Sequence, residues 1–358
     1  QTETVKYVLT NLLMSFEVAP SMSEKILSFL NSCMLQVQGF PKSLPGLVQI
    51  ISLICRMKER KVQNENDEET VCRTLISEVN AYVCGSLPKT IEPVVTVYQN
   101  IFPNSKGGNY IQGDDTFFYS EFSINSENAL VVQAAAHETH FIREELEFYL
   151  QVYNNSASEK IVLKFYMPVL KQWALMHRAF TCPGGHSILV GSEGSGRFTL
   201  TRFVAHMSEF DFINLSGKRQ VDSDNHEYLY AILRDIVTNI ALLNKKSILF
   251  VRHRGNHVSN DLKIVMDFAR NQDFTEFFSK AALDDLYVKF ANGQAQKPEQ
   301  RYALFNQIKN AIHMNFHLSI AVDEGSCFLE NKIKAIKIQF KSFTQQDLID
   351  TAAYALSP

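Results

Sequence analysis

The sequence predicts an α/β fold in its second half, a mostly parallel sheet covered by helices, preceded by a helical region. The first observation is a regular alternation of short apolar strands and helical patterns from Gly185 onward. The second is that apolar residues before Gly185 recur mainly at helical spacing. The expected strands are residues 187–190, 210–215, 247–251, 318–322 and 336–340.

The helical region covers about residues 5–102, where the apolar spacing predicts a bundle-like unit. Residues 104–115 are rich in turn-forming residues and indicate a surface connection. Helical patterns return over residues 136–182, with the only tryptophan, Trp173, on an apolar face. These changes predict a boundary near residues 104–115 and another at about residue 185.

Composition excludes several classes of function. The chain has 358 residues, 46% of them hydrophobic, with 35 Lys and Arg against 38 Asp and Glu, so no global basic surface favours nucleic acid. The six cysteines have no C-x-x-C spacing, which argues against a zinc site or a disulfide framework and favours a reducing cytosolic compartment. No apolar run approaches the roughly 18 residues of a membrane span. Because the first residue is Gln, we expect a segment of a longer chain.

The main chemical motif is a glycine loop, residues 191–199, between the first predicted strand and a helix. This arrangement can surround phosphate with backbone N–H groups at a helix N-terminus. The candidate ligand-binding residues are Gly191, Gly194, Ser195, Gly196, Arg197, Phe198 and Thr199. The alternative is a tight turn that binds no ligand.

The loop departs from the pattern G-x-x-x-x-G-K-[S/T] of phosphate-binding loops. Arg197 stands where lysine is expected, and Phe198 stands where a Mg²⁺-binding hydroxyl is expected. Arginine keeps the positive charge on a broader planar group. Thr199 lies one residue too late for the metal, so the sequence gives little support for Mg²⁺ and no metal ligand is assigned.

Residues 191–203 resemble the loop G-x-G-G-S-G-R-Q-S-L-T-R-L of dynein heavy chains, with Phe198 replacing Gln and Thr199 replacing Ser. Pro183-Gly-Gly185 is similar to the Pro-x-Gly that precedes this strand in the family, and Asn315-Phe-His-Leu resembles its Asn-Leu-His-Val. The resemblance covers most of residues 145–358. It implies four segments. Residues 1–103 would be the end of a third AAA+ module, and residues 104–184 a linker with helices leading into the fourth module. Residues 185–343 would be a divergent, axonemal-like fourth P-loop AAA+ large subdomain, and residues 344–358 the start of its lid.

The resemblance also implies a function. The chain would be a regulatory nucleotide-binding segment of a minus-end-directed microtubule motor, with ATP or ADP as its ligand. Its partners would be the neighbouring AAA+ modules and, through the full-length protein, dynein intermediate and light chains and microtubules. Neither nucleic acid nor a membrane is an expected partner. The expected location is the cytoplasm and cytoskeleton, and the cilium or axoneme in particular.

Hydrolysis is expected to be impaired or absent, and no catalytic residue is assigned. Aligned on the family's second acidic motif, His253 occupies the position of the Asp and Arg254 that of the following Glu. We expect Asp323, at the end of the 318–322 strand, to pair with the cluster Arg252-His253-Arg254; alternatively, these three residues point to solvent. A nucleotide-free structural scaffold within a dynein-like ring remains the alternative function.

Overall fold

The computed structural model describes seventeen stretches of the chain. These are residues 2–15, 17–38, 40, 47–48, 50–51, 68–79, 91–105, 118–120, 123–124, 130–131, 135–137, 139–181, 183–215, 226–254, 258–291, 298–323 and 335–340. The predicted lid segment, 344–358, lies outside them. The chain divides into two compact units, residues 1–149 and 150–358.

The first unit contains a helical core, as predicted. Its helices are α1 (Thr2–Ser15), α2 (Pro20–Gln36), α3 (Glu68–Val79) and α4 (Ile91–Ile101). Pro20 begins α2. Proline is tolerated there because the N–H groups of the first turn make no hydrogen bond within the helix. Phe29 packs edge-on against Tyr98 of α4, with ring centroids 5.9 Å apart. Buried aliphatic residues such as Leu13 and Ile26 complete this core.

Short strands follow, which the sequence analysis did not predict. They are β1 (Phe118–Ser120), β2 (Ser123–Ile124), β3 (Leu130–Val131) and β4 (Ala135–His137). β1 pairs with β4 and β2 with β3, both antiparallel. Strands of two or three residues are too short to leave a period-2 pattern. The next helix, α5 (Thr139–Ser156), leads into the second unit.

The second unit confirms the predicted α/β fold and all five expected strands. The helices are α6 (Met167–Thr181), α7 (Arg197–Met207), α8 (Glu227–Leu243), α9 (Asn260–Asn271), α10 (Lys280–Phe290) and α11 (Pro298–Asn315). The strands are β5 (Ser187–Gly191), β6 (Phe210–Asn214), β7 (Lys246–Arg252), β8 (Phe316–Val322) and β9 (Ile336–Phe340). They form one parallel sheet in the order β6-β7-β8-β5-β9.

The burial of the sheet explains why its strands were visible in the sequence. All residues of β5 and β8 are buried, and so are the five central residues of β7. Strands covered on both faces have continuous apolar runs rather than alternating ones. Helix α8 supplies Leu233 and Ile236 to the core on one side of the sheet. Among the described helices, none is long and apolar enough to cross a lipid bilayer.

Two buried histidines link the central strands to their surroundings. The Leu318 N–H donates to Nδ1 of His186 at 3.0 Å, and the opposite ring nitrogen of His186 donates to the Ala269 carbonyl at 3.3 Å. His317 donates from Nδ1 to the Gly185 carbonyl at 2.6 Å. Burial lowers the pKa of His186 to about 3 and the pKa of His317 to about 4, so both rings are neutral at pH 7.

Candidate phosphate-binding site

The glycine loop leaves the end of β5 and turns into α7, as the sequence predicts. Gly194 and Gly196 have φ angles of +82° and +86°, the left-handed region that favours glycine. A Cβ added at either position would meet none of the described atoms within 4 Å. The loop backbone therefore borders open space beside Gly194 and Gly196.

Helix α7 presents free backbone donors to this space. Its N-cap is Gly196, which has no side chain to cap the helix, and the first helical bond runs from the Leu200 N–H to the Gly196 carbonyl. The N–H groups of residues 197–199 thus lack partners within the helix. A pocket of about 210 Å³ lies here, the loop pocket, lined by Gly194, Ser195, Gly196, Arg197, Phe198, Thr199, Phe250, Arg252 and Ala321.

Ser195 adds a buried polar atom to the loop pocket. The residue is 7% exposed, and its hydroxyl oxygen has no hydrogen-bond partner among the residues that the structure describes. A buried hydroxyl without a partner costs about 1–3 kcal/mol. A polar ligand in the loop pocket would remove that cost.

Arg197 points towards the strand ends. Its guanidinium donates to the Val322 carbonyl at 2.5 Å and to the Ser192 carbonyl at 2.9 Å, and lies 3.6 Å from the Asp323 carboxylate. Burial lowers the pKa of Arg197, whereas the negative charge of Asp323 raises it. Arg197 therefore fastens the start of the loop to the end of β8.

A second ion-pair group lies across the pocket. Glu193 accepts hydrogen bonds from Arg252 at 3.1 Å and from Arg254 at 2.5 Å. The expectation that Asp323 pairs with the Arg252–Arg254 cluster is corrected, because Asp323 faces Arg197 and the cluster's acidic partner is Glu193. The loop itself provides this carboxylate, which strand-end reasoning did not consider.

The position expected to hold a metal ligand is apolar. The Phe198 ring packs edge-on against Phe212 and Phe250, with centroids 5.5 and 5.4 Å apart. His253 is buried, and its backbone N–H donates to the Ala321 carbonyl at 2.8 Å. Among the described residues, no group of three His, Cys, Asp or Glu side chains could hold a metal ion. No carboxylate from the described part of the chain lines the loop pocket, and the two beside it, Glu193 and Asp323, are paired with arginines. The residues present therefore do not fit Mg²⁺, which proteins bind mainly through carboxylates.

The second half of the chain is similar to a known protein family. The family described as P-loop containing dynein motor region D4 matches residues 161–351, just over half of the chain. The chain belongs to this family. It is 27% identical over 191 residues to the cytoplasmic dynein heavy chain of Fusarium vanettenii, covering 49% of this chain and 4% of that protein.

A second relative extends the match. The chain is 21% identical over 291 residues to dynein axonemal heavy chain 1 of Rattus norvegicus, covering 76% of this chain and 6% of the relative. The chain thus spans a small fraction of the length of the curated relatives it matches. The predicted resemblance to dynein heavy chains is confirmed, and the boundaries of the four predicted segments stay a prediction.

The structure of this dynein segment brings most of the predicted site residues together. Six of them, Gly194 to Thr199, line the loop pocket, whereas Gly191 ends β5 and packs against β9. Their role in ligand binding stays a prediction. Phe250 and Glu193 were not among the predicted site residues. A signal for Glu193 was present, since a lone acid in the loop faces a basic strand end.

Gly191 offers a test of how the dynein loop is anchored. A Cβ at Gly191 would lie 2.4 Å from the Phe340 carbonyl oxygen, so we expect Gly191→Ala to destabilise the protein by about 2–4 kcal/mol. Urea unfolding of the 358-residue chain measures this change. The control is Gly194→Ala, whose Cβ meets nothing and whose positive φ costs about 1 kcal/mol. Equal losses in the two variants would contradict the close approach.

Proposed function

We propose that this segment is a divergent regulatory AAA+ module that binds ATP or ADP in the loop pocket with little or no hydrolysis. The observation that carries the proposal is the unpaired, buried Ser195 hydroxyl in a pocket at the N-terminus of α7. Unpaired N–H groups and a helix dipole favour an anion at such a position. The guanidinium of Arg252 adds positive charge to the same wall.

The proposed absence of hydrolysis rests on the strand ends. Hydrolysis requires a group that orients or deprotonates the attacking water, and loss of such a group costs about 10²- to 10⁴-fold in rate. At the end of β7 the chain has Arg252, His253 and Arg254 in place of an acidic pair. A guanidinium group carries only N–H donors and cannot act as the proton acceptor.

The wider role follows from family membership. The names of the two relatives describe a cytoplasmic and an axonemal dynein heavy chain. By analogy, the segment would act within a ring of AAA+ modules in a minus-end-directed microtubule motor. Its immediate partners would be the neighbouring modules, with intermediate chains, light chains and microtubules engaged by the full-length protein. A location on the cytoskeleton, in a cilium or axoneme, is part of the same proposal.

A nucleotide-free scaffold is the second candidate, and one observation favours it. The Arg197 guanidinium, which takes the place of the phosphate-binding lysine, already donates to Ser192 and Val322. It would have to share or leave these carbonyls to reach a terminal phosphate. The sheet and loop would keep their form without any ligand.

Calorimetric titration of the 358-residue chain with ADP and ATP separates the two candidates. We expect dissociation constants below about 1 mM, and at least about tenfold weaker binding in Gly196→Val, whose side chain would strain a φ of +86°. Ser195→Ala should also weaken binding, because it removes the buried hydroxyl without filling space.

The matched control is Ser156→Ala, a serine-to-alanine change at the end of α5 outside the loop pocket. It should bind as the wild type does, and thermal melting should show that each variant is folded. Wild-type chain that binds neither nucleotide below about 1 mM would leave the scaffold as the function. Binding that is unchanged in both loop variants would place the nucleotide elsewhere.

A further inference from the structure

We infer that the loop pocket takes the metal-free nucleotide, with the Arg252 guanidinium supplying the counter-charge that Mg²⁺ would otherwise supply, and with Glu193 acting as a built-in competitor for it. This inference rests on the proposed function and adds the ionic form of the ligand and its control. The residues that line the loop pocket do not form a magnesium site.

One wall of the loop pocket is formed by aromatic rings. A hydrated magnesium ion needs oxygen ligands or hydrogen-bond acceptors around its water shell. The pocket offers the rings of Phe198 and Phe250 at this wall, which can do neither. Bringing a divalent cation beside Arg252 would also place like charges together.

The described ion pairs around the loop contain more arginines than carboxylates. Three arginines (Arg197, Arg252 and Arg254) and two carboxylates (Glu193 and Asp323) make up the described ion pairs around the loop. In these described ion pairs, arginines outnumber carboxylates by one. A guanidinium binds phosphate oxygens in a bidentate manner, and such charge-assisted bonds are stronger than neutral ones.

Arg252 lies where its guanidinium can contact a ligand in the loop pocket. It is the last residue of β7 and lines the loop pocket, and its side chain is 38% exposed, so it can reach a ligand without leaving its strand. Its bond to Glu193 is 3.1 Å long and half-exposed, and exposed ion pairs contribute little stability. A bound phosphate can therefore take the place of Glu193 on Arg252, while Arg254 keeps its own bond to Glu193.

Calorimetric titration with ADP, once in EDTA and once in excess MgCl₂, tests the inference on the 358-residue chain. We expect binding in EDTA to be at least as tight as in Mg²⁺. Arg252→Gln should weaken metal-free binding about tenfold or more, because it removes a charge-assisted contact. Glu193→Gln should tighten it by about threefold, because the competing carboxylate is gone.

Arg202→Gln is the matched control. Arg202 lies on α7 and pairs with Glu159 at 2.9 Å, outside the loop pocket, so its loss should change binding less than about twofold. The inference is overturned if Mg²⁺ tightens wild-type binding more than about threefold, if folded Arg252→Gln binds within about threefold of wild type, or if Glu193→Gln weakens binding. Absence of ADP binding in both solutions would instead reject the proposed function itself.

Discussion

Arg197→Ala will destabilise the second unit by about 3–5 kcal/mol, the largest effect we expect from a single substitution in the glycine loop. The guanidinium is 6% exposed and donates to the carbonyls of Ser192 and Val322. Truncation leaves these oxygens without their charged donor, and each such bond contributes about 1.5–3 kcal/mol. Urea unfolding monitored by circular dichroism measures the loss.

Two control variants test whether the loss of stability comes from the hydrogen bonds of Arg197. Arg202→Ala changes the same residue type on the same helix but removes a side chain whose partner, Glu159, is 78% exposed, so it should cost less than about 1 kcal/mol. Arg197→Lys keeps the charge but cannot bridge two carbonyls with one planar group, and it should recover less than half of the loss. An Arg197→Ala protein as stable as Arg202→Ala would show that the bridge contributes nothing.

Acidification will destabilise the protein through two of its buried histidines, His186 and His317. In the unfolded chain both rings have an ordinary pKa near 6.5, whereas in the folded protein the values are about 3 for His186 and about 4 for His317. Because the folded pKa values are depressed, the unfolded chain binds more protons below pH 6.5. The contribution of the two neutral rings to stability is complete well above pH 6.5, and it falls by roughly 6 kcal/mol as the pH drops to 4.

Denaturant unfolding at several pH values measures this loss. His317→Gln keeps an N–H donor for the Gly185 carbonyl but cannot titrate, so its stability should fall less steeply between pH 6.5 and pH 4. The control is His226→Gln, which removes a partly exposed histidine paired with Asp261 and should follow the wild-type slope within about 0.5 kcal/mol. Parallel curves for wild type and His317→Gln would contradict the assignment.

The fold of the second unit could be predicted from sequence because its signals are local and strong. The strands β7 and β8 are buried on both faces, so each appears as an unbroken apolar run between helical patterns. The sequence could not give the short strands β1 to β4, since two or three residues carry no measurable period. Their pairing depends on contacts outside each segment.

The candidate site was predictable in its backbone and less so in its side chains. The positions of Gly194 and Gly196 follow from the spacing that a phosphate-binding turn requires. The partners of Arg197 do not follow from spacing, because a long side chain at a helix start can turn towards the pocket or towards the strand ends. Which carboxylate faces which arginine depends on side-chain orientations that no sequence pattern encodes.

The Arg197 bridge makes the first turn of α7, the start of the loop and the tip of β8 share one flat, rigid group. A shift of any one of these three changes a hydrogen bond of another, so their movements are mechanically linked. A ligand that drew Arg197 inwards would release the tip of β8. The occupancy of the pocket would then alter the carboxyl end of the central strand without any chemical change in the ligand.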